Sequence, residues 1–84
     1  MIDIKQLTEN DKGRWVRYIS PVGFNIYMGR IKDWDNKFIY VVYNAPDRDM
    51  NKYNDYVAVP TDPKRLVFED TWQKVVDMEI KFYT

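Results

Sequence analysis

Three stretches decide the fold: GRWVRY (residues 13–18), GRIKDWDNKFIYVVY (residues 29–43) and DYVAVPTDPKRLVF (residues 55–68). Each carries short apolar-alternating runs, rich in β-branched and aromatic residues and closed by turn-forming ones. Short strands at regular spacing, with no long helical period between them, describe an antiparallel sheet that closes on itself. KFIYVVY (37–43) is the clearest strand. Every residue from Phe38 on is apolar or aromatic, the composition of a central strand with something covering part of both faces.

Working outward, Arg14–Ile19 forms the first strand. Val16 and Tyr18 point inward, because the opposite face would have to bury Arg17. Ser20-Pro21-Val22-Gly23 ends it with turn chemistry. The second strand spans about Ile26–Lys32, and its interior Gly29 marks a bend, a bulge or a close backbone approach. Asp33-Trp34-Asp35-Asn36 then reads as a hairpin reversal. Residues 44–54 are polar and aperiodic, the longest loop. Asp55–Val59 returns as a strand, with Ala58 small enough for a crowded interior. Asp62 caps and Pro63 opens a single 3₁₀ turn, after which Leu66 and Phe68 alternate into the last strand.

The ends are less regular. Ile2 and Ile4 alternate with Asp3 and Lys5 as in a short edge strand, and Thr8–Asp11 forms a turn-like connection. In the tail, Val76, Met78, Ile80 and Phe82 alternate with polar residues as a strand would. The same segment is also amphipathic at helical spacing, and Asp70 with Gln73 suits a helix start. We expect a short helix from near Thr71, with an extra edge strand as the alternative. The organisation is therefore a barrel over residues 1–69, with a lead-in over 1–12, and a tail over 70–84.

Four to five short strands, one long loop and a 3₁₀ turn before the final strand describe a small all-β, SH3-like antiparallel barrel. Three sets of residues carry a resemblance to a family of small phage and prophage proteins with that fold. They are Gly13-Arg14-Trp15-Val16 with Tyr18; Gly29-Arg30-Ile31-Lys32 with Trp34 and Phe38–Tyr43; and Asp55-Tyr56 with Ala58, Thr61, Pro63, Leu66 and Phe68. The resemblance covers about two-thirds of the chain and stops after Glu69. It implies the barrel and a phage-related setting; none of its motifs is catalytic.

Composition narrows the function. A chain of 84 residues makes one domain and loses roughly 60–65% of its unfolded surface on folding. Aromatics reach 17%, with three Trp and seven Tyr, more rings than a narrow core can hold. The surplus falls on the surface, where amphipathic rings suit binding. Cys and His are both absent, which removes disulfides, thiol chemistry, a zinc site and an imidazole base. Absence of Cys fits a cytoplasmic protein. MIDIKQLTENDK has neither the basic nor the apolar part of a signal peptide, and no apolar run approaches the ~20 residues of a membrane span; no membrane partner is expected.

Net charge is zero, with 13 basic and 13 acidic side chains, against a binder whose affinity rests on counterion release. The charge is segregated, however. Lys12, Arg14, Arg17, Arg30 and Lys32 lie in a stretch without an acid, whereas residues 33–84 carry ten acids against seven bases.

Catalytic and metal constellations fail on inspection. Asp47, Asp49 and Asn51 match the first ligand positions of a calcium loop, but Lys52 replaces the required Gly and Ala58 the bidentate Glu. Asp33 and Asp35 fail sooner, with Lys37 at the fifth position. Ser20, the single serine, precedes a proline and has no base to activate it. The carboxylates read as solvated surface charge, and no Gly-rich phosphate loop is present. We therefore expect no enzyme, no cofactor and no metal.

Two surfaces are candidates for binding. Trp34, Tyr53, Tyr56 and Pro60 sit in or beside two loops and the approach to the 3₁₀ turn, where SH3-like barrels take extended peptides. The leading expectation is thus a non-enzymatic interaction module with a protein partner. Alternatively Arg14, Trp15, Arg17, Tyr27, Arg30 and Lys32 make a basic hairpin interleaved with rings, suited to single-stranded nucleic acid; charges that deter edge-to-edge aggregation explain the same residues. A third class is structural, with the tail pairing a second copy into a homodimer or a virion component.

Overall fold

The computed structural model describes residues 1–22, 26–72 and 74. Five antiparallel strands form one sheet: β1 (Trp15–Ile19), β2 (Ile26–Trp34), β3 (Ile39–Tyr43), β4 (Val59–Thr61) and β5 (Leu66–Phe68). Their order across the sheet is β4-β3-β2-β1-β5. In a flat sheet the outer strands would stand about 19 Å apart, four spacings of ~4.8 Å. Only residues 62–65 join them, and Pro63–Arg65 is a 3₁₀ turn rising only ~2 Å per residue. The sheet must roll up to bring its edges that close. The result is the small SH3-like barrel.

The inner face is the alternation read from the sequence. Val16, Ile31, Ile39, Val41 and Leu66 are fully buried and cluster with Ile2; Ile4, Leu7, Tyr18, Trp34, Tyr43 and Phe68 pack around them. Val16 faces Gly29 across one ladder and Phe68 across the other, and Ile31 faces Val41. Gly29 is required by its neighbours: an added Cβ would lie 2.5 Å from Val41 Cγ1 and 2.6 Å from the Val42 carbonyl oxygen. β2 and β3 pass too closely there for any side chain.

β3 is covered on both faces, as its composition implied. Val41 is buried in the core and its neighbour Val42 is equally buried on the outside. On the outside the segment 44–58 packs on β2 as an outer cover and buries Met50. It carries a 3₁₀ segment, Met50–Asp55, started by Asp49, whose side chain accepts from the Asn51 N–H.

Several expectations are corrected. Residues 1–12 form no edge strand. They make two 3₁₀ turns, Ile4–Gln6 and Glu9–Asp11, each begun by a side chain that offers its oxygen to the backbone, Asp3 to Lys5 N–H and Asp11 to Thr8 N–H. Local Asp–backbone bonds outcompete a ladder there, and Ile2 enters the core while its N–H bonds the Pro63 carbonyl (3.1 Å). Asp55–Val59 is not a strand either, since the 3₁₀ segment holds its start and pairing begins only at Val59.

Trp34 belongs to β2 instead of a reversal. Between Ile31 and Asp33 the register slips, Ile31 facing Val41 while Asp33 faces Tyr40. Lys32 is the extra residue of a β-bulge, and one extra residue swaps the two faces of a strand. Trp34 thereby turns toward the core, opposite Ile39.

Helix follows β5 from residue 69, slightly ahead of the expected start near Thr71. Gln73 and the alternating residues Val76, Met78, Ile80 and Phe82 lie outside the described residues, as does Gly23. Among the described residues no helix is long and apolar enough to cross a membrane.

Candidate binding groove

Inner-face residues near one end of the barrel do not all have core to cover them. Tyr18 on β1, Tyr27 on β2 and Tyr43 on β3 share that face and turn toward β4 and the turn after it. With Val59, Pro60, Thr61 and Asp62 they line a groove of about 430 Å³. The Tyr18 and Tyr27 rings are 6.4 Å apart and tilted by 39°; Tyr18 and Tyr43 are 6.4 Å apart and nearly perpendicular, at 86°. Tyr18 is thus the corner between two aromatic walls. Tyr27 is 54% exposed and Val59 49%, so large apolar surface opens to solvent here.

One hydrogen-bond chain fixes the inner wall. Thr61 donates its hydroxyl proton to the Val59 carbonyl (3.1 Å), so at the 2.8 Å contact between the two hydroxyls Tyr43 must be the donor. Burial pushes the Tyr43 phenol above its ordinary value. Tyr43 therefore stays neutral and oriented at physiological pH. Asp62 begins the 3₁₀ turn, its Oδ1 accepting from the Lys64 N–H (3.0 Å). It is the single charged side chain among the described residues of the lining.

The four residues expected to converge do not form one site. Pro60 lines the groove. Trp34 packs on the core, with Lys12 Nζ 5.7 Å from its ring centre. Tyr53 and Tyr56 belong to the outer cover. Tyr53 lies under Arg30 (4.3 Å to the ring centre), while the Tyr56 hydroxyl accepts from the Asp49 N–H and its ring lies 5.3 Å from Arg48.

The basic hairpin is brought together but spoken for. Arg30 donates to the carbonyls of Gly13 (2.7 Å) and Met50 (3.0 Å), and Lys32 donates to the carbonyl of Tyr56 (2.8 Å). Trp15 flanks Arg30 at 5.7 Å. Arg14 bonds Asp11 (2.8 Å) and Asp70 (3.2 Å) and lies 3.5 Å from the Phe68 ring centre. The Arg14 bond holds Asp11 below the usual carboxylate range, with the Thr8 N–H adding to it. Arg17 forms a two-pronged pair with Glu69 and lies near Trp72. Of the six residues, Tyr27 alone reaches the groove.

Tyr18 and Tyr43 were missed as site residues. The inward direction of Tyr18 was legible and that of Tyr43 was not assigned, and inward residues near a strand end read as core unless the end of the barrel is known to be open. Among the described residues no group of three or more acidic side chains is placed to hold a metal. Comparison of the chain with protein-family models, curated proteins and solved structures gave no match.

Proposed function

We propose that this protein is a non-enzymatic interaction module, working in the cytoplasm in the phage-related setting its sequence resembles, that binds an extended segment of a partner protein in the tyrosine groove. The observation that carries the reading is the convergence of Tyr18, Tyr27 and Tyr43 on Val59 and Pro60, with Tyr27 and Val59 open to solvent. Rigid rings on strands form a binding wall at little entropic cost. Pro60 also supports it: with no N–H to offer, it blunts the outer edge of β4, so an arriving chain is directed into the groove and away from the sheet edge.

The nucleic-acid reading draws less support. Arg14, Arg17, Arg30 and Lys32 each bond a carboxylate or carbonyl of the chain itself, and phosphate contacts would have to displace those partners.

The test is capture of partners from host lysate by the tagged full chain, after nuclease treatment, with Tyr27→Ala and Arg14→Ala beside the wild type. A protein retained by wild type and Arg14→Ala but lost with Tyr27→Ala supports the groove. Capture indifferent to Tyr27, or abolished by nuclease, rejects it.

A further inference from the structure

Resting on the groove as the binding site, we infer that its selective element is a positive charge: it receives an arginine or lysine side chain of the partner's segment. The lining chemistry points one way. Three tyrosine faces carry negative quadrupole density, and a cation within about 6 Å of a ring centre is attracted by it. The Tyr27 and Tyr43 ring centres each lie 6.4 Å from that of Tyr18, so one cation can lie near more than one ring.

The only charged side chain among the described residues of the lining is the Asp62 carboxylate. Its Oδ1 takes the Lys64 N–H, and Oδ2 has no hydrogen bond or ion pair among the described residues. Lys64 and Arg65 follow Asp62 in sequence but do not line the groove. Among the described residues no cation lines the groove beside these rings. Elsewhere the chain satisfies its rings itself: Arg14 lies over Phe68, Arg30 over Tyr53 and Arg48 over Tyr56. The groove is the same chemistry with the cation left to another molecule. Arginine suits it better than lysine, because a planar, weakly hydrated guanidinium both stacks on a ring and forks to a carboxylate.

The experiment is an NMR titration of the full chain with capped tripeptides acetyl-Gly-X-Gly-amide. X is arginine or its neutral near-isostere citrulline, and lysine or its neutral counterpart norleucine. Arginine and lysine should shift the signals of Tyr18, Tyr27 and Tyr43, with the neutral member of each pair roughly tenfold weaker. Asp62→Asn, which keeps the cap, should weaken arginine binding several-fold and leave citrulline unchanged. Tyr27→Leu, which keeps apolar bulk without a ring, should narrow the charged-to-neutral ratio. Charged and neutral peptides binding the groove equally would overturn the inference while leaving the groove reading intact. No groove shift with the arginine peptide would also overturn it, and partner capture by wild type against Tyr27→Ala then judges the groove separately.

Discussion

Replacing Gly29 with alanine tests both the packing of the barrel and the placing of its groove. The new Cβ would sit 2.6 Å from the Val42 carbonyl oxygen, 2.5 Å from Val41 Cγ1 and 3.2 Å from Tyr43 Cα. A comfortable carbon–oxygen contact begins near 3.3 Å, so the two backbones must part by roughly 0.7 Å. Val41 cannot simply turn aside, because it is fully buried in the core. Overpacking of this kind costs about 1–3 kcal/mol, and the stiffer unfolded chain returns about 0.4–1 kcal/mol. The net loss is about 1–2 kcal/mol. At roughly 4–8 °C per kcal/mol for a domain of this size, the melting temperature should fall by about 5–15 °C. Thermal unfolding followed by far-ultraviolet circular dichroism gives the number. Because Gly29 faces Tyr43 in the ladder, the ring signals of Tyr43 should also move. A melting temperature within about 2 °C of wild type, with Tyr43 unmoved, would refute the close approach of β2 and β3.

Three further outcomes are expected. Thr61→Val removes the partner of the Tyr43 hydroxyl and should cost about 1–2 kcal/mol in denaturant unfolding; equal stability of Thr61→Val and Thr61→Ser would contradict a stabilising role for that bond. Asp35 accepts the Tyr40 O–H (2.6 Å) and the Phe38 and Lys37 N–H groups, all of which lower its pKa from 3.8, Tyr40 most. Its contribution to stability is accordingly present above pH 3.8 and lost as pH falls through the lowered folded value. Carboxyl NMR titration should show a midpoint below 3.8 that Tyr40→Phe raises; a midpoint unmoved by that change would break the argument. Arg30→Met frees Gly13 and Met50 carbonyls, so amide exchange over Met50–Asp55 should quicken while β3 keeps its protection; unchanged exchange would mean the cover is held by something else.

Most of the barrel could be read from local patterns because they agree with the fold. Val16 and Tyr18 had to face inward so that Arg17 need not, and Asp62-Pro63 specifies its turn whatever surrounds it. The misreadings have physical causes. Trp34 has a loop's neighbours, Asp33 and Asp35, and only the bulge at Lys32 turns it inward. A bulge depends on how two strands meet, and the sequence of one strand does not record it. Tyr53 and Tyr56 looked like loop rings awaiting a ligand, because the arginines that stack on them, Arg30 and Arg48, lie up to 23 residues away in the case of Arg30 and Tyr53. Conversely Tyr18 and Tyr43 looked like core. Their partial exposure follows from where the barrel ends, which is set by the paths of β4 and the 3₁₀ turn.

Three grips on the segment 44–58 are of one kind: Arg30 holds the Met50 carbonyl, Lys32 the Tyr56 carbonyl, and Arg48 reaches back to that of Tyr43. Every amino acid supplies a carbonyl. These carbonyl grips are blind to which side chains the segment displays, and the sequence burden falls on the cations, on the buried Met50 and on the Tyr53 and Tyr56 rings beside Arg30 and Arg48. Exposed positions such as Asn51, Lys52 and Asn54 could be rewritten without loosening the hold. The barrel thus comes with a writable outer panel, sharing no described residue with the lining of the tyrosine groove, that can be redrawn while the groove is kept as it is.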